Sequence, residues 1–347
     1  MDNVSQSDSA TGGAGTTASI AASTAISRKR VSPRVLLVGL AVLALVLGAV
    51  LAVVLAMRPK GGVELAPLPS DQSVAVSLAG SFPGPDQEPL DNPLGLAIDG
   101  GRVYVAEADA GRIQVFDLNG GRFGEIALAS AEEALAVYPT SVAATGDGRL
   151  AVVDSAAGRV LVIDAKIGDA AVLMTLGERQ ESTAPLQPTA VAFADDTFYV
   201  SDGVTHTVKV YGDDGLYQGE VGASVTPALT YPGGLAAVGH QLVVADSNAG
   251  RVLAIDLDPE AAHDFPDRYT LPRGVTGVRD GVAVTDVFAA AVYVCDDNGT
   301  RTHTIDADTL PGSPLVSPEG VAWADGAERL YVTDSTRGKV VVFNVRI

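Results

Sequence analysis

The hydrophobic positions of this chain recur in a fixed pattern from about residue 73 to residue 347. Six copies open with a proline, any residue, a small residue, an aliphatic residue and usually alanine. Within each copy the hydrophobic residues alternate or form short runs bounded by Gly, Asp and Asn, which indicates strands rather than helices. The opening prolines are Pro93, Pro139, Pro188, Pro232, Pro272 and Pro318.

The first copy illustrates the elements that this pattern predicts. Hydrophobic runs at 94–98, 103–106, 113–116 and 123–128 are separated by turn-forming residues. Four antiparallel strands in about 40–50 residues match one propeller blade. Because one such sheet cannot bury both of its faces alone, blades must pack around a common axis. The sequence therefore predicts an all-β fold, a six-bladed β-propeller of four-stranded antiparallel blades over residues 73–347.

The two ends of the repeat array predict how the ring closes. The last copy ends at its third strand, 343–347, while an unassigned hydrophobic segment, 73–82, precedes the first copy. We expect Val74–Leu78 to pair with Val340–Phe343 and supply the missing fourth strand. Closure of this kind removes two exposed sheet edges.

An acidic residue ends the second hydrophobic run of every copy. A carboxylate at that place can accept backbone N–H bonds from the loop that follows. In four copies it can also pair with a basic residue five positions later, namely Arg112, Arg159, Arg251 and Lys339. We interpret the series as structural rather than as a ring that binds cations: Glu107, Asp154, Asp202, Asp246, Asp286 and Asp334.

Several short segments resemble the NHL repeat of six-bladed propellers. They are the Pro-x-Gly-Val-Ala openings, the hydrophobic-x-Asp-Ser segments such as 152–155 and 332–335, and the Gly-Arg-Val segments such as 158–160 and 250–252. The resemblance implies the propeller architecture for residues 73–347. It leaves several functions open, since similar propellers bind proteins or RNA, act as extracellular sensors, or host metal-dependent lyases and lactonases.

The residue after each opening proline is the most variable position of the repeat. In an antiparallel meander these residues and the loops after the acidic residues lie on one face. The six residues are Leu94, Thr140, Thr189, Gly233, Arg273 and Glu319. Arg273 and Glu319 come from neighbouring copies, so we expect them to meet near the axis. Polar groups at a concave mouth orient ligands, which makes Thr140, Thr189, Arg273 and Glu319 candidate binding residues.

Two loops of the same predicted face depart from the repeat. Residues 203–207 contain His206 where other copies have Gly-Arg, and residues 287–291 contain Phe288. An exposed Phe288 would suit a partner anchor, whereas the alternative is that it packs under its own loop. His206 and Phe288 complete the set of candidate partner contacts.

The enzymatic alternative comes from the resemblance. Metal-dependent propeller lactonases and lyases hold their metal with side chains from several blades, and Glu319 is the one residue here that resembles such a ligand. His206, His240, His263 and His303 occupy non-equivalent repeat positions, so a multi-histidine metal site is not predicted. The sequence lacks the motifs of serine hydrolases, haem attachment and nucleotide binding. We therefore predict no cofactor and no catalytic residue.

A continuous apolar segment precedes the repeats. Residues 35–57 contain no charged side chain, and 23 apolar residues exceed the roughly 20 that cross a membrane as a helix. Four basic residues precede the segment and two follow it, which favours a cytoplasmic amino terminus. We predict a disordered cytoplasmic tail at 1–34, a transmembrane helix at 35–57, a linker at 58–72 and an exported propeller. The alternative is a secreted domain released by signal cleavage.

Charge and cysteine content narrow the partners. Residues 61–347 carry 17 basic and 40 acidic side chains, a net charge of −23, which repels phosphate backbones and argues against nucleic acid. Cys295 is the only cysteine, and its repeat position predicts a small core residue. The sequence thus predicts a single-pass protein of the plasma membrane whose extracellular propeller binds a protein, peptide or glycan.

Overall fold

The computed structural model describes residues 61–67, 75–128, 137–178, 185, 187–310 and 314–347. Over these residues the chain forms an all-β propeller of six antiparallel blades, as predicted. The strand that opens each blade contacts the opening strands of the two adjacent blades, so these six inner strands surround the axis.

The strands follow in chain order. A closing strand, β1 (Val76–Phe82), comes first. Blade 1 contains β2 (Pro93–Asp99), β3 (Arg102–Glu107), β4 (Arg112–Asp117) and β5 (Arg122–Ala127). Blade 2 contains β6 (Pro139–Ala144), β7 (Arg149–Asp154), β8 (Arg159–Asp164) and β10 (Val172–Thr175), and the short β9 (Gly168–Asp169) pairs with β5. Blade 3 contains β11 (Pro188–Ala194), β12 (Thr197–Asp202), β13 (Thr207–Gly212) and β14 (Tyr217–Val221).

The remaining blades repeat this order. Blade 4 contains β15 (Pro232–Val238), β16 (Gln241–Asp246), β17 (Arg251–Leu257) and β18 (Glu260–Asp264). Blade 5 contains β19 (Pro272–Val278), β20 (Gly281–Asp286), β21 (Ala291–Asp296) and β22 (Arg301–Ile305). Blade 6 contains β23 (Pro318–Ala324), β24 (Arg329–Asp334) and β25 (Lys339–Val345). Single 3-10 turns lie at Ser247–Ala249 and Asp325–Ala327.

The strand register places one end of every blade at a common face. In all six blades the opening proline pairs with the acidic residue that ends the second strand, as Pro93 does with Glu107 and Pro318 with Asp334. We call this end of the blades the mouth face and the opposite end the turn face. The opening residues and the loops after the acidic residues therefore share the mouth face.

The ring is closed by β1, which pairs antiparallel with β25 from Val76 with Val345 to Phe82 with Val340. This confirms that a strand before the first copy closes the ring, but the predicted register is wrong: Val340–Val342 pair with Gly80–Phe82, and of residues 76–78 only Leu78 pairs within 340–343, with Phe343. Val74 lies outside the described residues. Phe82 is fully buried, and its ring centroid lies 4.9 Å from that of Phe116 in blade 1. Closure thus joins blade 6 to blade 1 by side-chain packing as well as by strand pairing.

The hydrophobic core consists of one cluster at each junction between adjacent blades. At the junction of blades 1 and 2, for example, Ile113 packs with Ile163. Cys295 lies in the cluster between blades 4 and 5 and is 1% exposed, as expected of a small core residue. Because every blade buries its faces against two neighbours, the inner strands form a rigid frame.

Close backbone contact around the axis explains the small third residue of each opening. A Cβ atom on Gly274 would lie 2.5 Å from the carbonyl oxygen of Glu319, and one on Gly320 would lie 2.5 Å from that of Leu94. The Thr285 hydroxyl donates to the same Glu319 carbonyl at 2.5 Å, which ties blade 5 to blade 6. These contacts fix the backbone of the residues that face the axis.

Part of the predicted linker lies against the propeller. The Val63 amide donates to the Asn119 carbonyl at 3.0 Å, and the Ala66 amide donates to the Ala79 carbonyl at 2.7 Å. Leu65 is buried, and the Asn344 side chain donates to the Ala66 carbonyl at 3.2 Å. Residues 61–67 therefore contact blades 6 and 1 at the turn face.

The predicted tail and the predicted transmembrane helix, 1–34 and 35–57, lie outside the described residues. Within the residues that are described, no helix is both long enough and apolar enough to cross a membrane.

Candidate functional site

A cavity of about 480 Å³ opens at the mouth face where the six inner strands meet. Every blade contributes to its lining, which includes all six residues that follow the opening prolines: Leu94, Thr140, Thr189, Gly233, Arg273 and Glu319. The structure thus brings together four of the six predicted binding residues. The volume of the cavity lies within the range of about 300–1,000 Å³ that is usual for small-molecule sites.

The cavity has an upper ring in which four of the six residues are polar and a lower ring that is aliphatic. The upper ring consists of the residues after the prolines, which vary from blade to blade. Two residues further along each inner strand, the lining is aliphatic and buried: Leu96, Val142, Val191, Leu235, Val275 and Val321. A ligand that enters along the axis therefore meets polar groups first and an apolar floor below them.

Arg273 and Glu319 form a loose ion pair in the upper ring. Arg273 Nε lies 3.9 Å from Glu319 Oε2, which is too long for a hydrogen bond. The Arg273 side chain is 39% exposed and that of Glu319 is 19% exposed. Arg273 Nε itself is buried and has no hydrogen-bond partner among the residues described. The pair therefore presents a free donor beside a carboxylate.

The environment of Glu319 makes its carboxyl a weaker acid than an exposed glutamate. Burial raises the pKa of its carboxyl above the ordinary value, while Arg273 and two serine hydroxyls oppose that shift. The hydroxyls belong to Ser317 and Ser335, whose Oγ atoms lie 3.4 and 3.5 Å from Glu319 Oε1. These long contacts leave much of the hydrogen-bonding capacity of the carboxyl unused.

The two predicted threonines differ in how their hydroxyls are used. Thr189 Oγ1 lies 3.0 Å from Ser201 Oγ and donates to the Pro232 carbonyl at 2.5 Å, so it links blades 3 and 4. Thr140 Oγ1 is buried, and within the described part of the chain it has no hydrogen-bond partner. Thr140 therefore has a free hydroxyl at the cavity, whereas Thr189 serves the packing of its blade.

The outer edge of the cavity, which we call the rim, contains further polar residues that were not predicted from the sequence. Gln187, Tyr231 and Ser155 also line the cavity. Gln187 and Tyr231 directly precede opening prolines, and that position is polar in five of the six copies. A polar residue before each proline could have indicated the rim, but it stands outside the hydrophobic pattern that defines the repeat.

Small residues make room for the rim side chains. A Cβ atom on Gly203 would lie 3.0 Å from Gln187 Oε1, 3.1 Å from Tyr231 Cε2 and 3.3 Å from Thr189 Cγ2. On Gly233, a Cβ atom would lie 2.2 Å from Ser247 Oγ. The loop at 203–207, which departs from the repeat, thus allows three side chains to converge at one side of the cavity.

The six acidic residues lie beneath the rim, and each is 0% exposed: Glu107, Asp154, Asp202, Asp246, Asp286 and Asp334. Each accepts backbone N–H bonds from the loop that enters its blade. Asp246, for example, accepts from Tyr231 at 2.8 Å, and Asp286 accepts from Leu271 at 2.9 Å. These carboxylates hold the rim loops in place and do not line the cavity.

The basic residue that follows an acidic residue by five positions also contacts it in three blades. Arg112 lies 2.6 Å from Glu107, Arg159 lies 3.0 Å from Asp154, and Arg251 lies 3.1 Å from Asp246. Lys339 is opposite Asp334 in the strand register. Three ion pairs and their hairpins thus stabilise the loops around the mouth.

The remaining candidates lie on the mouth face but outside the cavity lining. Phe288 is 73% exposed, in the turn between β20 and β21, so the structure shows the exposed one of its two predicted positions. His206 is also exposed, and its amide donates to the Asp202 carbonyl at 2.9 Å. Both residues are placed to contact a partner larger than the cavity itself.

The other histidines lie away from the mouth. His240 occupies the turn between β15 and β16 at the turn face, His263 lies in β18 and His303 lies in β22. In the ranges that the structure describes, no three His, Cys, Asp or Glu residues are grouped so that they could hold a metal ion.

Comparisons with known proteins agree on the architecture. The profile of the NHL repeat matches residues 90–116, which cover most of the first three strands of blade 1. A search of curated proteins gives no match. The chain therefore carries an NHL repeat within a six-bladed β-propeller.

Solved structures with the same fold come from proteins of different kinds. Virginiamycin B lyase from Staphylococcus aureus is 13% identical, with a TM-score of 0.58 over 78% of this chain and 100% of that chain. A streptogramin B lyase is 14% identical, with a TM-score of 0.53 over 75% of this chain and 80% of that one. A chain of the nidogen/laminin complex is 18% identical, with a TM-score of 0.52 over 66% and 83%. At these identities the likeness shows the fold alone.

Proposed function

We propose that this propeller is a recognition module that binds its ligand at the mouth face, with one part of the ligand inside the axial cavity. A single observation carries the proposal. The cavity holds two buried polar atoms, Arg273 Nε and Thr140 Oγ1, that have no partner within the described ranges. Since buried polar groups are normally hydrogen-bonded, such atoms at a concave opening suit contact with a ligand.

The frame around the cavity favours recognition over movement. The buried acidic residues hold the rim loops, and hydroxyl contacts such as that of Thr285 with the Glu319 carbonyl fix adjacent inner strands. A site held in this way is preorganised, so little ordering entropy opposes binding. The partner is a protein, peptide or glycan, and the net charge of −23 for residues 61–347 disfavours nucleic acid.

The similar solved structures include lyases and a nidogen/laminin complex, so the same fold serves both catalysis and protein binding. The cellular location of this propeller is therefore part of our proposal. We place the propeller outside the cell on a single membrane anchor at 35–57, on the strength of that apolar segment and its basic flank. The ligand would then be a component of the cell envelope or its surroundings.

A crosslinking experiment on intact cells tests the binding role. The full-length chain and its Arg273→Ala and Phe288→Ala variants are crosslinked, captured and compared. We expect Arg273→Ala to lose the partner and Phe288→Ala to weaken its capture. Arg279→Ala provides the matched control, since Arg279 forms an exposed ion pair at 3.0 Å with Glu328 on the turn face. Equal capture by all four chains would contradict the proposal.

The alternative function is a metal-dependent lactonase or lyase that uses Glu319 as a ligand. Among the described residues, those around Glu319 do not fit a divalent cation, because its charged neighbour in the cavity lining is the Arg273 guanidinium and its side chain otherwise contacts serine hydroxyls. Metal analysis of the purified chain separates the two functions. A stoichiometric metal that is lost in Glu319→Ala, together with a hydrolytic or lyase activity, would favour the enzyme.

A further inference from the structure

We propose that the ligand group inside the axial cavity is an uncharged saccharide, held by hydrogen bonds to Arg273, Glu319 and Thr140. This inference rests on the proposed binding function and names the chemistry of its ligand. It is argued from the shape of the cavity, its charge, its free hydrogen-bonding atoms and its apolar surfaces.

The shape of the cavity limits the ligand to something narrow. About 480 Å³ enclosed by six inner strands accommodates a small molecule or the end of a chain, whereas protein partners usually meet over broad surfaces. The wall resists spreading, since the β1–β25 pairing closes the ring and hydrogen bonds such as that of the Thr285 hydroxyl to the Glu319 carbonyl join adjacent inner strands. The occupant must therefore be a compact group.

The charge of the cavity favours an uncharged occupant. Among the described residues of its lining, Arg273 and Glu319 are the charged ones, and their opposite charges compensate each other. An anionic group would be repelled by Glu319 and by the net charge of −23 on residues 61–347. A cationic group would meet the Arg273 guanidinium. Because each kind of ion has a repulsive neighbour, the lining discriminates against both.

The free hydrogen-bonding atoms match hydroxyl groups. Arg273 Nε is a donor, and the Glu319 carboxyl 3.9 Å away supplies acceptor oxygens. A hydroxyl group both donates and accepts, so one hydroxyl or two adjacent ones can satisfy this pair of side chains together. Thr140 Oγ1 has the same double capacity and is also free within the residues described. A polyhydroxylated ligand satisfies all three side chains without any net charge.

The apolar surfaces match the carbon–hydrogen faces of a sugar ring. The floor consists of the six buried aliphatic residues, and the half-buried ring of Tyr231 lies at the rim. Gly203 leaves the space that the Tyr231 ring occupies, since a Cβ atom there would lie 3.1 Å from Tyr231 Cε2. Aromatic rings with a polar end pack an apolar face while their hydroxyl bonds to a polar group.

Binding of defined saccharides to the purified full-length chain tests the inference. The probes are a broad set of neutral monosaccharides and short oligosaccharides, with uronic-acid and amino-sugar analogues of the same size. We expect at least one neutral member to bind, with an affinity that changes little between low and high salt. Preference for a charged analogue, or no binding by any neutral probe, would overturn the inference.

Three cavity variants and two controls locate the binding. Arg273→Gln, Glu319→Ala and Thr140→Val each remove a hydrogen-bonding group, and we expect each to weaken saccharide binding by about tenfold. The controls are Arg279→Gln and Thr197→Val, which alter the same residue types at the turn face. We expect both controls to bind like the unaltered chain. Equal loss in the controls would overturn the inference.

The crosslinking experiment separates this inference from the proposed function. If the partner is lost in Arg273→Ala and also after enzymatic removal of its glycans, both proposals hold. A partner that depends on Arg273 but not on its glycans would leave the binding function standing and refute the saccharide.

Discussion

Two pairs of arginine and carboxylate, Arg251 with Asp246 and Arg273 with Glu319, show how this propeller separates structure from binding. Arg251 is 2% exposed, and it lies 3.1 Å from Asp246 and 3.2 Å from Asp264. Its guanidinium also donates to the Pro227 and Ala228 carbonyls at 2.6 and 3.1 Å. The Arg273 pair is separated by 3.9 Å, and its Nε has no partner among the described residues. The hydrogen-bonding groups of Arg251 are thus used within its blade, whereas those of Arg273 at the mouth are only partly used.

The contrast between these two ion pairs indicates where a binding site lies in a repeat protein. The Arg251 pair occupies repeat positions, and its bonds hold the loop that carries Tyr231. Arg273 and Glu319 occupy the variable position after the proline, where the repeat itself requires no particular side chain. Unused hydrogen-bonding capacity at a variable, axial position is therefore the feature that marks the candidate site.

The largest expected effect is the loss of the buried pair. Arg251→Met leaves the Asp246 carboxylate, which is 0% exposed, without its cation, and we expect the free energy of unfolding to fall by about 3–5 kcal/mol. Arg273→Met is the matched change at the mouth, and we expect a far smaller loss because its ion pair is long, at 3.9 Å, and the Arg273 side chain is 39% exposed. Denaturant unfolding of both variants measures the difference. Equal losses would show that the two pairs have the same role.

Thr285 and Thr140 allow a second comparison, between a hydroxyl that makes hydrogen bonds and one that makes none to the described residues. Thr285 Oγ1 accepts from the Gly274 amide at 2.7 Å and donates to the Glu319 carbonyl at 2.5 Å. We expect Thr285→Val to lower the free energy of unfolding by about 2 kcal/mol, because buried backbone groups lose their partners.

Thr140→Val removes a hydroxyl that makes no hydrogen bond to the described residues. We expect it to change the free energy of unfolding by less than about 0.5 kcal/mol, in either direction. Thermal unfolding of the two valine variants in the same buffer makes the comparison. A large loss in Thr140→Val would show that its hydroxyl has a structural role.

The smallest expected effect is a dependence on pH from Glu319. Burial raises the pKa of its carboxyl in the folded chain, so between the ordinary pKa and the raised one the folded state holds more protons than the unfolded state. Stability should therefore decline as pH rises through that window, and Glu319→Gln should remove this decline. Denaturation of both chains across mildly acidic to neutral pH measures it. Parallel curves for the two chains would contradict the expected shift.

The sequence predicts the fold because the fold depends on local, repeated features. Alternating hydrophobic runs define the strands, and the fixed distance from each proline to its acidic residue defines the register that places both at the mouth face. The same reasoning places Arg273 beside Glu319, since adjacent blades carry equivalent positions. The closing strand is also predictable, but its extension to Phe82 depends on a core contact with Phe116 in blade 1.

The unpredicted features depend on contacts between distant segments. Tyr231 and Gln187 reach the cavity because Gly203, in another part of blade 3, leaves room for them. The glycines and proline of segment 61–67 predict a linker. Backbone hydrogen bonds to Asn119 and Ala79 nevertheless hold this segment on the turn face. Whether an ion pair is tight or loose likewise depends on three-dimensional geometry and not on residue type.

A photocrosslinker placed at the axis tests the central claim most directly. A diazirine analogue of leucine is introduced at Leu94, which lines the cavity, or at Leu173, which is 51% exposed on the outer strand of blade 2. On irradiation of intact cells, we expect a discrete crosslinked product from position 94 and none from position 173. Products of equal yield from both positions, or a product from position 173 alone, would contradict a ligand site at the mouth face.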